Sequence, residues 1–408
     1  MDHLDLSTSD AASRTGPLAG VRILDMSSVL LGPLATMLLS DLGADVIKVE
    51  SPRGSGGGTA AGDIWRHAGP TPVEGLGPCF TALNRNKRAI SLDLAEAKDR
   101  AVFEDLLRSA DVFFHNVRMA GMRRLGADYE AVKKINPEII YVHCAGFGDD
   151  GPYAALSAYD DLIQAASGYT DLTAKRDNAA PQYTPSAIAD KVSGLFAANA
   201  TTAALFHRER TGEGQFVHVP MFEAFTFFNF VEHLYGATWQ ASPGRMGYSR
   251  SLSANRRPYA TKNGYVSIVP YSERQWRTFL ALGGFPDLFD DPKFSTYKLR
   301  TENSNELYEY IGLAALTKTT EEWLELLHRE DIPSIRANSL EEVLEDPHLK
   351  ATGFFRDVEY PGGFTYKSMR HPVRYSATPA ETYRHPPRFG EHDDEVRAGQ
   401  SWASEAAQ

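Results

Sequence analysis

Residues 21–50 constrain the fold more than any other stretch. VRILDMS (21–27) is an apolar run of buried-strand character, and DVIKVE (45–50) is a second one. Between them GPLATMLLSDLGA (32–44) reads as an amphipathic helix, with Pro33 at an early, tolerated position and Gly43 as its C-cap. A strand, helix and strand this close together imply a parallel pair with a right-handed crossover. The alternation continues. A strand is expected within FTALNRNKRAISLDL (80–94), a helix over 95–110 and a strand over 111–117. A helix from Tyr129 and a strand within 137–148, ending in a glycine-bearing turn, complete the series. This is the pattern of an α/β domain whose parallel, Rossmann-like sheet is covered by helices.

Ligands of such sheets bind beyond the carboxyl ends of the strands. The turn after the first strand, SSVLLGP, has one glycine where a dinucleotide fingerprint needs three. GSGGG (54–58) is followed by no Gly-Lys-Ser/Thr and reads as a flexible loop. Glu50 ends the second strand where a ribose-binding acid often sits, although acids are common there by chance. The net charge of −11 argues against a nucleic-acid partner, which usually leaves a basic patch. Cys79 and Cys144 are far apart and belong to no CxxC, so neither a disulfide framework nor a zinc site is expected, and no metal is assigned. A reduced, cytoplasmic setting is the expectation. The longest apolar run, Val29–Leu39, is too short to span a bilayer and is broken by Gly32 and Pro33. Residues 1–16 are polar and acidic, unlike a signal peptide, and are expected to form a disordered tail.

Chemistry is expected around Asp190, a single acid in a small and apolar run. Val192, Leu195, Phe196, Asn199, Ala203 and Phe206 recur at helical spacing, which predicts a helix over about 190–208 with that stripe facing inward. Asp190 falls at the N-cap. There, free amide hydrogens and the helix dipole favour the ionised form that a carboxylate nucleophile needs. A plain helix cap fits the same position. Asn84, Arg85, Asn86, Lys87 and Arg88 form a compact basic turn, suited to phosphate or to solvent. Tyr159, Asp160 and Gln164 are polar candidates at the start of a short helix. The helix over 221–236 carries six aromatics, more in keeping with an interface or core than with a cofactor site. From 225 the character changes. A hairpin over 257–270 and three helices predict a smaller α+β domain over 225–330. Residues 17–224 form the large domain. Residues 331–408 are a linker and tail, strand-like over 360–396.

The order of these pieces resembles the class III CoA-transferases, the family of formyl-CoA transferase and carnitine CoA-transferase. The resemblance runs from about residue 17 to 396. It rests on PLAGVRILDMSSVLLGPLATMLLSDLGADVIKVESP, LNRNKRAISLDL, the Asn116–Gly126 segment ending RRLG, GFGDDGPY, AYDDLIQAASG, the Asp190 helix, RTGEGQFVHVPMFEA and RPYATKNGYVSI. Each is loose alone; their joint order is highly specific.

The resemblance implies that Asp190 attacks an acyl-CoA to give a mixed anhydride and then an aspartyl-CoA thioester, with no metal or prosthetic group. It implies CoA contacts from Val29, Asn84, Lys87, Arg88, Asn116 and Arg124. Amide hydrogens of the turn Gly146, Phe147, Gly148 would stabilise oxyanions, with Tyr159 beside the substrate. Val117 stands where the family usually has an aromatic, and Ala145 where the formyl-transferring member has a lysine. Racemases of the same superfamily carry a histidine where this chain has Tyr159, which favours transfer over α-proton abstraction; CoA binding without turnover is the third reading. The implied partners are an acyl-CoA and a carboxylic acid, a dicarboxylate if Arg245, Arg250, Arg256 and Arg257 contribute. The implied assembly is an interlocked homodimer in which the C-terminal tail returns to the large domain.

Overall fold

Six parallel strands make up the main sheet: β1 Arg22–Met26, β2 Asp45–Glu50, β3 Lys87–Ser91, β4 Val112–His115, β5 Ile140–Ala145 and β6 Phe216–Pro220. Their order across the sheet is β3-β2-β1-β4-β5-β6, so the winding reverses between β1 and β4. Every residue of β2 and β4 is buried, as a sheet covered on both faces requires. The chain is described here from a computed structural model, which covers residues 3, 4, 6, 15–53, 60–241, 244–399 and 402. The glycine loop 54–58 lies outside these residues. Among the described residues no helix is long and apolar enough to cross a membrane.

On one face, Leu24, Ile47, Ile90, Phe113 and Tyr141 pack against Phe103, Leu106, Met122 and Val132. The latter four come from the helices α2 Ala97–Ser109, α3 Met119–Leu125 and α4 Tyr129–Ile135. The long helix α6 Ile188–Thr211 follows α5 Asp160–Ala166 and lies against α1 Leu31–Asp41.

The inward stripe expected on α6 is reversed. Ala189, Ser193, Gly194, Ala197, Thr201, Ala204 and Leu205 face inward, whereas Leu195 is 57% and Phe206 63% exposed. The cause is close approach to α1. A Cβ on Gly194 would stand 2.9 Å from the Leu31 carbonyl oxygen, so only small side chains fit that side. The apolar stripe is therefore left on the outside.

Two compact units emerge. The first combines Met1–Ser167, Pro185–Phe228 and Lys350–Gln408; the second combines Gly168–Thr184 and Asn229–Leu349. The boundary expected at 225 falls inside the unbroken helix α7 Met221–His233. The second unit also runs past 330, because Ser334–Arg336 adds an antiparallel strand to the hairpin Tyr259–Ala260/Tyr265–Ile268. Its core is Trp276, Phe279, Ile311 and Trp323.

The tail is strand-like only in part. Phe355–Tyr360 and Phe364–Met369 pair antiparallel, and His3–Leu4, within the segment expected to be disordered, pairs parallel with the first of them. The other residues of 1–14, Leu6 apart, lie outside the described set. Beyond 369 the tail caps the open edge of β3 with single contacts rather than a strand. The Ser91 amide donates to Asp393, the Ala89 amide to His392 Nδ1, and Tyr383 and Arg384 amides to Asn86 Oδ1. Covering an edge in this way removes a template for strand pairing.

Candidate active site

The winding of the sheet reverses between β1 and β4, and at such a point ligands of parallel sheets bind beyond the carboxyl ends of the strands. The turn Ser27–Ser28–Val29 leaves β1 at that point and is pinned from three sides. Asn116, just after β4, accepts from the Ser28 amide at 3.0 Å and donates to the Ser28 carbonyl at 2.8 Å. Asp63 accepts from the Val29 amide at 3.0 Å. Lys48 donates to the Ser27 carbonyl at 2.6 Å. The clamp holds Val29 at φ 71°, an unfavourable backbone for a β-branched residue. Strain held this way clusters at functional sites.

Lys48 and Asp63 belong to a buried charge network. Lys48 pairs with Asp63, Lys87 with Asp25, and Arg66 with Glu50 through two nitrogens. Burial opposes every charge here, yet Asp25 and Glu50 stay below the usual carboxylate range because Lys87 and Lys48, and Arg66, outweigh it. Burial pushes the Lys87 ammonium down to about 8 despite Asp25. Glu50 is thus a buried ion-pair partner and not a free ribose ligand.

This network changes the reading of the basic turn. Lys87 Nζ donates to Asp25, the Pro33 carbonyl and Asn84 Oδ1, and is fully buried. Arg88 pairs with Asp45 and Glu395, and Arg85 with Asp41. The cations expected on CoA phosphates are turned inward, because β3 is buried and each charge there has found an acid. Asn84 serves Lys87 and the Phe80 carbonyl. Of the cations assigned to CoA, Arg124 alone is exposed, in the last turn of α3 beside Arg123.

Asp190 is not the N-cap of α6. That helix starts at Ile188, and Asp190 lies in its first turn. The capping carboxylate comes from α5: Asp160 Oδ2 accepts the Asp190 amide at 3.0 Å, while its Oδ1 accepts from Gln164. Asp190 itself is half-buried and has neither a hydrogen bond to its carboxylate nor an ion pair among the described residues. Burial, and then the charge of Asp160, push the Asp190 carboxyl up to about 7. The expectation that the helix terminus would favour ionisation is overturned: the neighbouring acid already occupies that terminus. Such a poised, cation-free carboxyl suits a nucleophile or base working near neutral pH. Asp160 and Gln164 carried a sequence signal as polar groups opening a short helix. Lys48 and Asp63 carried none.

In the glycine turn, the Phe222 amide donates to the Gly146 carbonyl, and the Gly148 amide donates to Glu223 Oε1 at 2.9 Å. Gly148 N–H is therefore not a free oxyanion donor in this conformation; a carboxylate at the start of α7 reaches back to it. Phe147 is buried edge-on against Tyr153. Tyr159 precedes α5 and is 70% exposed.

Comparison with known proteins agrees with this geometry. The profile of CoA-transferase family III matches residues 18–393. A succinate–glutarate CoA-transferase of Agrobacterium fabrum is 31% identical over 96% of this chain and 97% of its own. A formyl-CoA:oxalate CoA-transferase of Bradyrhizobium diazoefficiens is 31% identical over 94% of this chain and 93% of its own. The crystal structure of a CaiB/BaiF family protein from Brucella suis superposes with a TM-score of 0.78 at 32% identity, over 94% of this chain and 99% of that one. A match across nearly the whole length places the chain in CoA-transferase family III.

Proposed function

We propose that the enzyme moves CoA from an acyl-CoA donor to a carboxylic acid through covalent intermediates on Asp190. The observation that carries this reading is the half-buried Asp190 carboxyl in the first turn of α6, with no ion pair among the described residues and pushed up to about 7 by burial and Asp160. Its ionised oxygen attacks the thioester carbonyl, the C–S bond breaks, and CoA leaves as a thiolate. The thiolate attacks the Asp190 carbonyl of the mixed anhydride, releasing the donor acid and leaving an aspartyl-CoA thioester. The acceptor carboxylate attacks that thioester and expels the thiolate, which takes the new acyl group and frees Asp190. The overall exchange replaces one CoA thioester with another, so no external energy source is required, and the mixed anhydrides are transient.

Ser27–Val29 and Asn116 shape the wall of the CoA crevice, and Arg124 with Arg123 supplies exposed positive charge for its phosphates. The acceptors in the relatives' names are diacids, glutarate and oxalate. A dicarboxylate acceptor follows for this chain; of the four arginines expected to favour one, Arg250 is already bonded to Tyr308. Incubation with succinyl-CoA, hydroxylamine or borohydride trapping and peptide mapping should mark the Asp190 peptide. Trapped product elsewhere, or none while CoA still binds, would refute the covalent route; α-deuterium exchange without acceptor would then favour racemisation.

The enzyme is also proposed to be a homodimer. The outward stripe of α6 and the exposed Phe227 and Phe228 of α7 leave large apolar side chains uncovered, as an interface requires. Sedimentation equilibrium should give twice the chain mass of 45.0 kDa. A single-chain mass at micromolar concentration would end this reading.

A further inference from the structure

The register of the sheet sets three histidines in a row. His115 of β4 pairs with His143 of β5, and His143 with His218 of β6. Their rings stack, with centroids 4.8 Å apart at 20° and 5.2 Å apart at 8°. Nε2 of His218 is buried with no hydrogen-bond partner among the described residues, while the His115 and His143 rings have the Val117 backbone as a polar neighbour. Unpaired buried polar atoms are costly and rare in native interiors. Simple packing does not call for imidazoles: Phe113, Tyr141 and Phe216 pack edge-on and tilted against one another one step behind them on the same strands. The open His218 nitrogen, beside His143, points instead to a bound group.

Asp149 closes the row. It follows the turn after β5, and its Oδ1 lies 3.9 Å from His218 Nε2. One ligand atom from each of His143, Asp149 and His218 falls within 4.8 Å of the others. We propose that His143, Asp149 and His218 bind one divalent transition-metal ion of the zinc class. Imidazole nitrogen with carboxylate oxygen suits zinc, copper or nickel, whereas magnesium and calcium favour all-oxygen shells. Bonds of about 2.0–2.2 Å require tetrahedral ligand atoms roughly 3.3–3.5 Å apart, so the cluster closes by about an ångström on binding. The parts that move are the exposed Asp149 and His218, which sits on the edge strand; His143 is fixed between its neighbours. Three protein ligands leave a fourth position for water.

Asp190 is not among the ligands of this site. The site ties the loop carrying Gly148 to β6, so its role is to brace that turn. Nothing in the sequence announces it, because the ligands are far apart in the chain and meet only through strand register.

The test uses the full-length protein, dialysed against chelator and titrated with zinc chloride by calorimetry, with cobalt(II) absorption as a second readout. One ion per chain is expected, with tetrahedral cobalt bands. Asp149→Asn and His218→Phe should each weaken zinc binding about tenfold or more, and His115→Phe should leave it unchanged. Asp149 is exposed, so its variant keeps the fold, which circular dichroism checks. No saturable zinc binding, or binding that persists in both ligand variants, would overturn the proposal.

Discussion

Asp190→Asn is expected to abolish CoA transfer and at the same time to stabilise the protein. Removing a covalent nucleophile costs about four to six orders of magnitude in turnover when no other group can take its place. The loss should appear in kcat, with CoA affinity nearly unchanged, because the proposed CoA contacts do not involve this side chain. Asp190→Ala guards against deamidation restoring the acid. The stability gain follows from the proton. The unfolded chain releases it near the ordinary value of 3.8, and the folded chain holds it to about 7. Between those values the folded state binds more protons, so stability falls as pH rises and the whole penalty is present above pH 7. The ceiling is ~4 kcal/mol at 1.4 kcal/mol per pH unit. Because the carboxyl reaches solvent, roughly 1–2 kcal/mol should be realised. Urea unfolding at pH 8 should therefore show the Asn variant more stable than the parent, and the difference should shrink toward pH 4. The same titration sets activity: kcat/KM for the acyl-CoA should fall tenfold per pH unit below about 7. Asp160→Asn keeps an acceptor for the Asp190 amide but removes the charge, so the acid limb should move to lower pH. An unmoved limb would mean that burial alone raises Asp190 and that Asp160 has no electrostatic part.

The difference between Asp190 and Lys87 shows what the sequence could disclose. Alternation of strands and helices identified β1 to β6 to within a few residues, because strands buried on both faces have a distinctive composition. Asp190 stood out because acids are scarce in small, apolar runs. The direction of a side chain was harder to read. The α6 stripe looked like a core face by spacing, yet α1 comes so close that only Gly194 and its small neighbours fit inside. The basic turn looked like a phosphate site, yet its partners Asp25, Asp41 and Asp45 lie on other strands and helices. Charge pairing across a sheet depends on register, and register is not local. The same reason hid the histidine row and the role of Asp63, whose carboxylate meets Lys48 and the Val29 amide only after folding.

Lys48→Met should be the most damaging single change to the fold. Lys48 is fully buried, and it sits between Asp63 and the Ser27 carbonyl with Asp25 and Glu50 nearby. Burial alone would lower its pKa, but Asp63, Asp25 and Glu50 outweigh that and raise it. Methionine fills much of the volume but leaves the buried Asp63 carboxylate without its cation, while Asp25 and Glu50 keep Lys87 and Arg66. Breaking one side of a buried pair costs about 3–5 kcal/mol, a large share of a domain stability of about 5–15 kcal/mol. Lys175→Met is the matching control: its pair with Asp171 is exposed and worth about 0–1 kcal/mol. Urea midpoints at constant m-value should separate the two variants clearly. The damage should also reach CoA. Lys48 and Asp63 hold both ends of the turn that keeps Val29 at positive φ, so a folded remnant of the variant at low temperature should bind CoA more weakly. Equal losses for the buried and the exposed lysine would show that the network adds nothing to the fold. Full CoA affinity in a destabilised Lys48→Met protein would show that the strained turn stands without it.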